Sequence, residues 1–299
     1  MSRERTTETT TPVDTGDTTT RAAATSGNRS TDTAAVITAA RKRGDTGLVT
    51  LLRLGVVLGV AGLWEAVSRF EILNSTDFPP FTVVAGAFAT SLADAATWLA
   101  MWETVVGWAL GLSLSILVGV IAGLLIGPSR FLTRSTSFLI DVLRATPAPA
   151  IIFILILVLG TTMAMKVALI FFAAVFPILI QTLYGVRGVD PVLRDLQRSY
   201  RISPWVAFFT IRLPAASPLI ATGVRISASL ALIVAVVAEY LGGVPGVGSL
   251  VDDVRLIGDF PRMYALILLV GFLSVALNLG VGAIEHRLLR WHASHREKS

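Results

Sequence analysis

The chain contains runs of about twenty residues with few or no charges, and the run Thr104–Leu125 (TVVGWALGLSLSILVGVIAGLL) has none. A helix needs roughly 20 mostly apolar residues to cross a hydrocarbon core about 30 Å thick. Six such spans are expected, at about Leu48–Val67, Thr104–Leu125, Ser137–Leu159, Met163–Tyr184, Leu219–Leu241 and Tyr264–Ile284. Asp141, Arg144, Pro147 and Pro149 interrupt the third, which is therefore either a kinked span or a short re-entrant helix. The fold class is an all-α membrane protein with six transmembrane helices. Composition agrees, with 54% hydrophobic and 15% charged residues, against about 45–50% and about 25% in soluble domains.

Lys and Arg are unevenly shared between the connecting segments, which orients the chain. With the N-terminus cytoplasmic, the inner segments hold Arg41, Lys42, Arg43, Arg130, Arg134, Arg187, Arg194, Arg198, Arg201, Arg212, Arg287, Arg290, Arg296 and Lys298. The outer segments hold Arg69, Lys166, Arg255 and Arg262. Both termini are expected inside, and so is the segment 186–218. This bias accounts for the net charge of +5 without nucleic acid as a partner. The absence of cysteine excludes disulfides and thiolate metal sites. The three histidines, His286, His292 and His295, sit together near the C-terminus, so a histidine metal site is not expected.

Residues 1–46 read as a separate region. Twelve of the first 33 residues are threonine and no apolar periodicity is present, so this cytoplasmic tail is expected to be disordered. It lacks the apolar core of a signal peptide. The membrane domain follows at 47–288, then a short cytoplasmic tail at 289–299. Glycines four apart in the second span, Gly107/Gly111 and Gly119/Gly123/Gly127, let helix backbones approach closely; they suit either packing within the chain or a seam between subunits.

The segment between the fourth and fifth spans is patterned. Residues 191–201 (PVLRDLQRSYR) read as a short helix with Leu193, Leu196 and Tyr200 on one face and Arg194, Arg198 and Arg201 on another. The helix is expected to run on to Ile202. Ser203-Pro204 then looks like an N-cap and the first residue of a second helix, PWVAFFTIR. Leu213-Pro214 is expected to end it. Such a corner, apolar on one side and basic on the other, suits either an anionic lipid surface or a docking partner.

This segment resembles the EAA loop of permease subunits in binding-protein-dependent ABC importers, whose pattern is Glu-Ala-Ala, three residues, Gly, nine residues, then Ile-x-Leu-Pro. Ile211-Arg212-Leu213-Pro214 matches its end, Asp195-Leu196-Gln197 stands at Glu-Ala-Ala, and Arg201 stands at the glycine. The resemblance extends over roughly residues 60–291. It is carried by WEAVSRFEILNSTDFPPFTVV, DVLRATPAPA, GVRGVDP, LPAASPLIATGVRIS, AEYLGG and GVGSLV, and is similar to the nitrate/sulfonate/taurine subgroup. It implies a type I importer permease fold in a bacterial plasma membrane. The implied partners are cytoplasmic ABC ATPase subunits, an extracytoplasmic substrate-binding protein and a second permease copy. It implies that Asp195, Leu196, Gln197, Arg198, Tyr200, Arg201, Ile202, Ser203 and Pro204 contact the ATPase.

The chain has no G-x-x-x-x-G-K-[ST] phosphate loop, and none of its lysines, Lys42, Lys166 and Lys298, follows a glycine. ATP is therefore expected on a partner, with no cofactor and no catalytic constellation here. Ionisable residues inside spans are costly and often functional. Asp141 and Arg144 are spaced to pair with each other, and Arg144 and Glu239 are candidates for the substrate path. Arg225 and Glu239 lie too far apart along one helix to pair, and snorkelling to the interface accounts for both. The rival reading is an ATP-independent secondary transporter or channel, in which the basic corner would have no role.

Overall fold

A computed structural model describes residues 49–188, 192, 195, 197 and 199–288; the tails expected at 1–46 and 289–299 lie outside this range. The chain divides into two units between Trp64 and Glu65. The first contributes most of α1 (Val49–Arg69), a 21-residue helix apolar enough to cross a membrane. The second holds every later element: α2 (Phe81–Ala93), α3 (Ala95–Ile126), α4 (Arg130–Ala145), α5 (Ala148–Leu159) and α6 (Met163–Arg187). The short α7 (Pro204–Ala207), a π turn (Phe208–Arg212), α8 (Leu213–Gly242), α9 (Val247–Leu256) and α10 (Phe260–Leu288) complete it. Every regular element among the described residues is a helix.

Among the described residues five helices are long and apolar enough to span, and the pair α4–α5, bent by 89°, makes a sixth if it is one span. The bend follows from sequence. Thr146 precedes Pro147 and takes an extended ψ of 122°, as the proline ring demands of its neighbour. Pro147 then opens α5, which ends at Gly160 with φ 67°. Ser129 and Thr162 accept from Leu132 N and Met165 N at the starts of α4 and α6, and Asp94 caps α3 through Ala96 N.

The glycine stripe of α3 is consumed inside the chain. A Cβ added at Gly111 would lie 2.5 Å from Ile170 Cγ2, and one at Gly123 would lie 2.5 Å from Thr182 Cβ. Gly107 meets Lys166 and Gly119 meets Ile178 in the same way. The pairs advance together along both helices, so α3 and α6 run parallel. Two parallel neighbours require an odd number of crossings between them. The bent α4–α5 pair therefore reads as one crossing, not a re-entrant loop. Against the other face of α6, α8 runs antiparallel: Gly185 meets Ala216, Gly223 meets Ile178, and Ser227 Oγ donates to Ala174 O at 2.7 Å. Trp108 Nε1 of α3 donates to Ala228 O of α8 at 2.9 Å. The main core lies among these helices, from Leu112, Leu169, Ile170, Ala174 and Ile178 to Ala231 and Ala235.

Leu213-Pro214 does not end the preceding helix, contrary to expectation. The helix is continuous from Trp205 to Gly242. Proline has no N–H to donate and its ring crowds the carbonyl four residues back. The π turn absorbs this: Leu213 N–H bonds Phe208 O, five residues back instead of four. The short helices α2 and α9 were not anticipated. Each is too short to span, and they gather beyond the far end of α8, where Phe88, Ala100, Val247, Val254, Leu266 and Leu269 form a second, smaller core.

Candidate functional site

The patterned segment forms an exposed corner. Residues 192, 195, 197 and 199 are helical, and Arg201 follows with φ 49°. Ile202 N–H returns to Gln197 O at 3.1 Å. These are the left-handed residue and the six-to-one bond of a Schellman ending. The expected continuation of the helix to Ile202 is therefore corrected: Arg201 takes the conformation a glycine usually supplies, at a cost of about 1–2 kcal/mol. Ser203 then starts the second helix as expected. Its Oγ accepts from Val206 N at 3.4 Å and its carbonyl from Ala207 N at 2.9 Å. Tyr200, Trp205 and Phe209 stand 73%, 76% and 58% exposed around the corner. Asp195 and Arg201 are exposed too. Leu196 and Arg198 lie outside the described residues, as does the side chain of Pro204.

A cavity of about 740 Å³ opens between the α4–α5 bend, α6 and α8. Arg144, Pro147, Phe172, Phe176, Gln181 and Val237 are among its lining residues. Arg144 Nε pairs with Asp141 Oδ1 at 3.0 Å, as the spacing predicts, and both side chains are more than half exposed. The wall is largely apolar, with Phe172 and Phe176 packed edge to face at 5.5 Å.

Glu239 is not among the residues that line this cavity. It is wholly buried, and so is Lys166; Lys166 Nζ lies 3.0 Å from Glu239 Oε1. The ammonium also donates to Glu103 O at 3.1 Å and Pro245 O at 2.8 Å, so its three hydrogens are all placed. Glu239 Oε2 accepts from Thr104 Oγ1 and from Gly248 N, both at 2.9 Å. Thr104 Oγ1 in turn accepts from Val247 N at 2.9 Å. Glycine makes the room: a Cβ at Gly246 would fall 2.1 Å from Glu239 Cδ, and one at Gly248 would fall 2.3 Å from Val236 O. Two expectations are corrected here. Lys166 does not belong to an outer loop, and Glu239 does not snorkel. A charge buried in a span needs a partner and a full set of hydrogen bonds; each is the other's counter-charge, and Glu103 O, Pro245 O, Thr104 and Gly248 N supply the remaining bonds. Arg225, also expected to snorkel, pairs with Glu285 of α10.

The family model for the inner membrane component of binding-protein-dependent transport systems matches residues 115–290. The chain belongs to that family. This permease is 26% identical, over 79% of its length and 86% of theirs, to a Bacillus subtilis (strain 168) protein named for aliphatic sulfonates transport, SsuC. It is 30% identical, over 81% of its length and 97% of the other's, to a Haemophilus influenzae protein named as an ABC transporter permease. A nitrate import permease protein, NrtB, of Synechocystis is 31% identical over 59% of this chain and 64% of its own. Among solved structures, the inward-facing MetNI methionine ABC transporter has the same fold, with a TM-score of 0.57 at 17% identity over 64% of this chain and 96% of that one. The permease is thus a multi-pass protein of the bacterial inner membrane with a type I importer fold.

Proposed function

We propose that this permease is the membrane-spanning subunit of an ATP-driven importer for a small oxyanion such as a sulfonate, taurine or nitrate. It pairs with a second permease copy and works with two cytoplasmic ATPases and an extracytoplasmic binding protein. Both termini and the 186–218 segment face the cytoplasm. The observation that carries this reading is the corner at residues 199–209. It presents exposed aromatic side chains where one span gives way to the next, in a chain without a phosphate loop of its own. Asp195, Leu196, Gln197, Arg198, Tyr200, Arg201, Ile202, Ser203 and Pro204 form the surface that the ATPase groove grips. ATP shifts the conformation only by favouring one state of the permease over the other, and the corner is where that preference is transmitted. The relatives' names support the substrate class. Arg144, at the rim of the α4–α6–α8 cavity, is the residue of the path that would meet an anion.

Co-purification of the permease with its cognate ABC ATPase tests the reading. Replacing Tyr200 and Arg198 together by alanine should abolish most of the association. Unchanged association removes the coupling role. Uptake by the permease alone in liposomes, without ATP, would instead establish the secondary-transporter reading.

A further inference from the structure

One uninterrupted helix joins the exposed corner to the buried ion pair. It runs from Trp205 to Gly242, which places Glu239 roughly 50 Å along the axis from Trp205 at 1.5 Å per residue. Just past Glu239 the chain turns through Gly243 (φ 63°) and enters α9 at Val247. The first amides of a helix have no partner within it. In α9 they end on side chains of other helices: Val247 N on Thr104 of α3, and Gly248 N on Glu239 of α8. Lys166 of α6 closes the cluster by holding Glu239 and, through Pro245 O, the turn itself. Four helices thus meet at one sealed polar knot.

Three uses of such a cluster can be compared. A substrate contact is not what this conformation offers, since Lys166 and Glu239 have no exposed side-chain surface. Adhesion alone does not require charge, because well-packed apolar residues of similar volume hold helices together as well as or better than a buried ion pair. What the cluster supplies and an apolar contact would not is direction. Two hydrogen bonds of 2.9 Å hold the first amides of α9 to α3 and α8, and a third of 2.8 Å holds the turn before it to α6. Three more, of 2.9–3.1 Å, tie α3, α6 and α8 to one another, so the start of α9 is fixed at one angle to all three.

We propose that Thr104, Lys166 and Glu239 are positioning residues for transport. They make α9 move as one body with α3, α6 and α8, so that a displacement imposed at the Trp205 end is delivered to the opposite mouth of the pathway. This rests on the importer reading above.

The test uses the complete complex of permease, ATPase and binding protein in liposomes, with ATP hydrolysis and substrate uptake measured in parallel. The double variant Lys166→Met/Glu239→Gln removes both charges together, so no unpaired charge is left buried. It should assemble and hydrolyse ATP like the parent, yet move about tenfold less substrate per ATP, near the lower end of the range for an energetic coupling between sites. Thr104→Val, which removes the bond given to Glu239 and the bond taken from Val247, should lower that ratio by about fivefold, and Thr104→Ser should restore it. A double variant with the parent's uptake per ATP would overturn the proposal, as would hydrolysis and uptake falling in equal proportion. If the double variant does not assemble, an unchanged ratio in Thr104→Val overturns the proposal equally. A parent complex that takes up nothing in response to ATP fails the importer reading itself, and the proposal falls with it.

Discussion

The two ends of the long helix from Trp205 to Gly242 solve opposite problems. At one end, Trp205 and Phe209 are left exposed beside an arginine held in a left-handed conformation. At the other, a lysine and a glutamate are sealed from water with every strong donor placed. On the importer reading the exposed end is completed by the ATPase, since aromatic and arginine side chains of this kind are the usual anchors of interfaces. The buried end is complete within the chain. An end built for a partner should therefore tolerate substitution in folding but not in assembly, and a self-contained end should show the reverse.

The largest effect separating them is expected at the ion pair. Glu239→Ala leaves the Lys166 ammonium buried without its counter-charge, which costs about 3–5 kcal/mol. It also strips Gly248 N of its acceptor. Thermal unfolding in detergent should show a large loss of stability, or the protein should fail to accumulate. Lys166→Met/Glu239→Gln should recover most of that loss. Equal damage in the single and double variants would mean that charge pairing is not what holds this end.

Next in size is the α3–α6 seam that carries Lys166. Gly111→Leu forces a side chain into the space of Ile170, and overpacking of this kind costs about 1–3 kcal/mol. The same substitution at Gly86, where nothing lies within 4 Å, should leave the unfolding midpoint unchanged. A seam variant as stable as the parent would separate the ion pair from the packing that positions it.

Much of this architecture is legible in the residues. Apolar runs locate the spans, the Arg and Pro interruptions locate the 89° break, and Ser203-Pro204 locates the corner. The ion pair is not legible in the same way. Lys166 and Glu239 lie 73 positions apart, and a lone lysine beside an apolar run reads as a loop residue because its counter-charge belongs to another helix. A local signal was nonetheless present. Gly246 and Gly248 follow Glu239 closely: the Glu239 carboxylate fills the space a Cβ at Gly246 would take, and Val236 O with Glu239 Cβ fills the space at Gly248. Leu213-Pro214 misled for the converse reason. A proline marks a helix end only when nothing upstream changes register, and the π turn that does so has no sequence signature of its own.

A smaller effect, of opposite sign, is expected at Arg201. Glycine carries no Cβ penalty at φ 49°, so Arg201→Gly should relieve about 1–2 kcal/mol of backbone strain, partly offset by the greater freedom glycine has in the unfolded chain. The net outcome is a modest rise in unfolding midpoint. Because the variant also removes an exposed guanidinium from the corner, it should weaken ATPase association while stabilising the permease. Both quantities falling together would show that the left-handed turn is not strained by its arginine.

The smallest effect on stability should come from Trp205→Ala. Its ring is 76% exposed, and surface substitutions away from special features change stability by about 0.5 kcal/mol or less. Trp205 begins the helix that Ser203 caps, and alanine supports that helix at least as well. Unfolding of the isolated permease should therefore be unaltered. The complex should respond differently, because truncating a large aromatic anchor at an interface commonly costs about 2 kcal/mol or more, a loss of roughly thirtyfold in affinity. Titration of the ATPase against the variant in nanodiscs reads this directly. Parent-like affinity would move the docking surface away from the second helix and confine it to the first, around Asp195 and Tyr200.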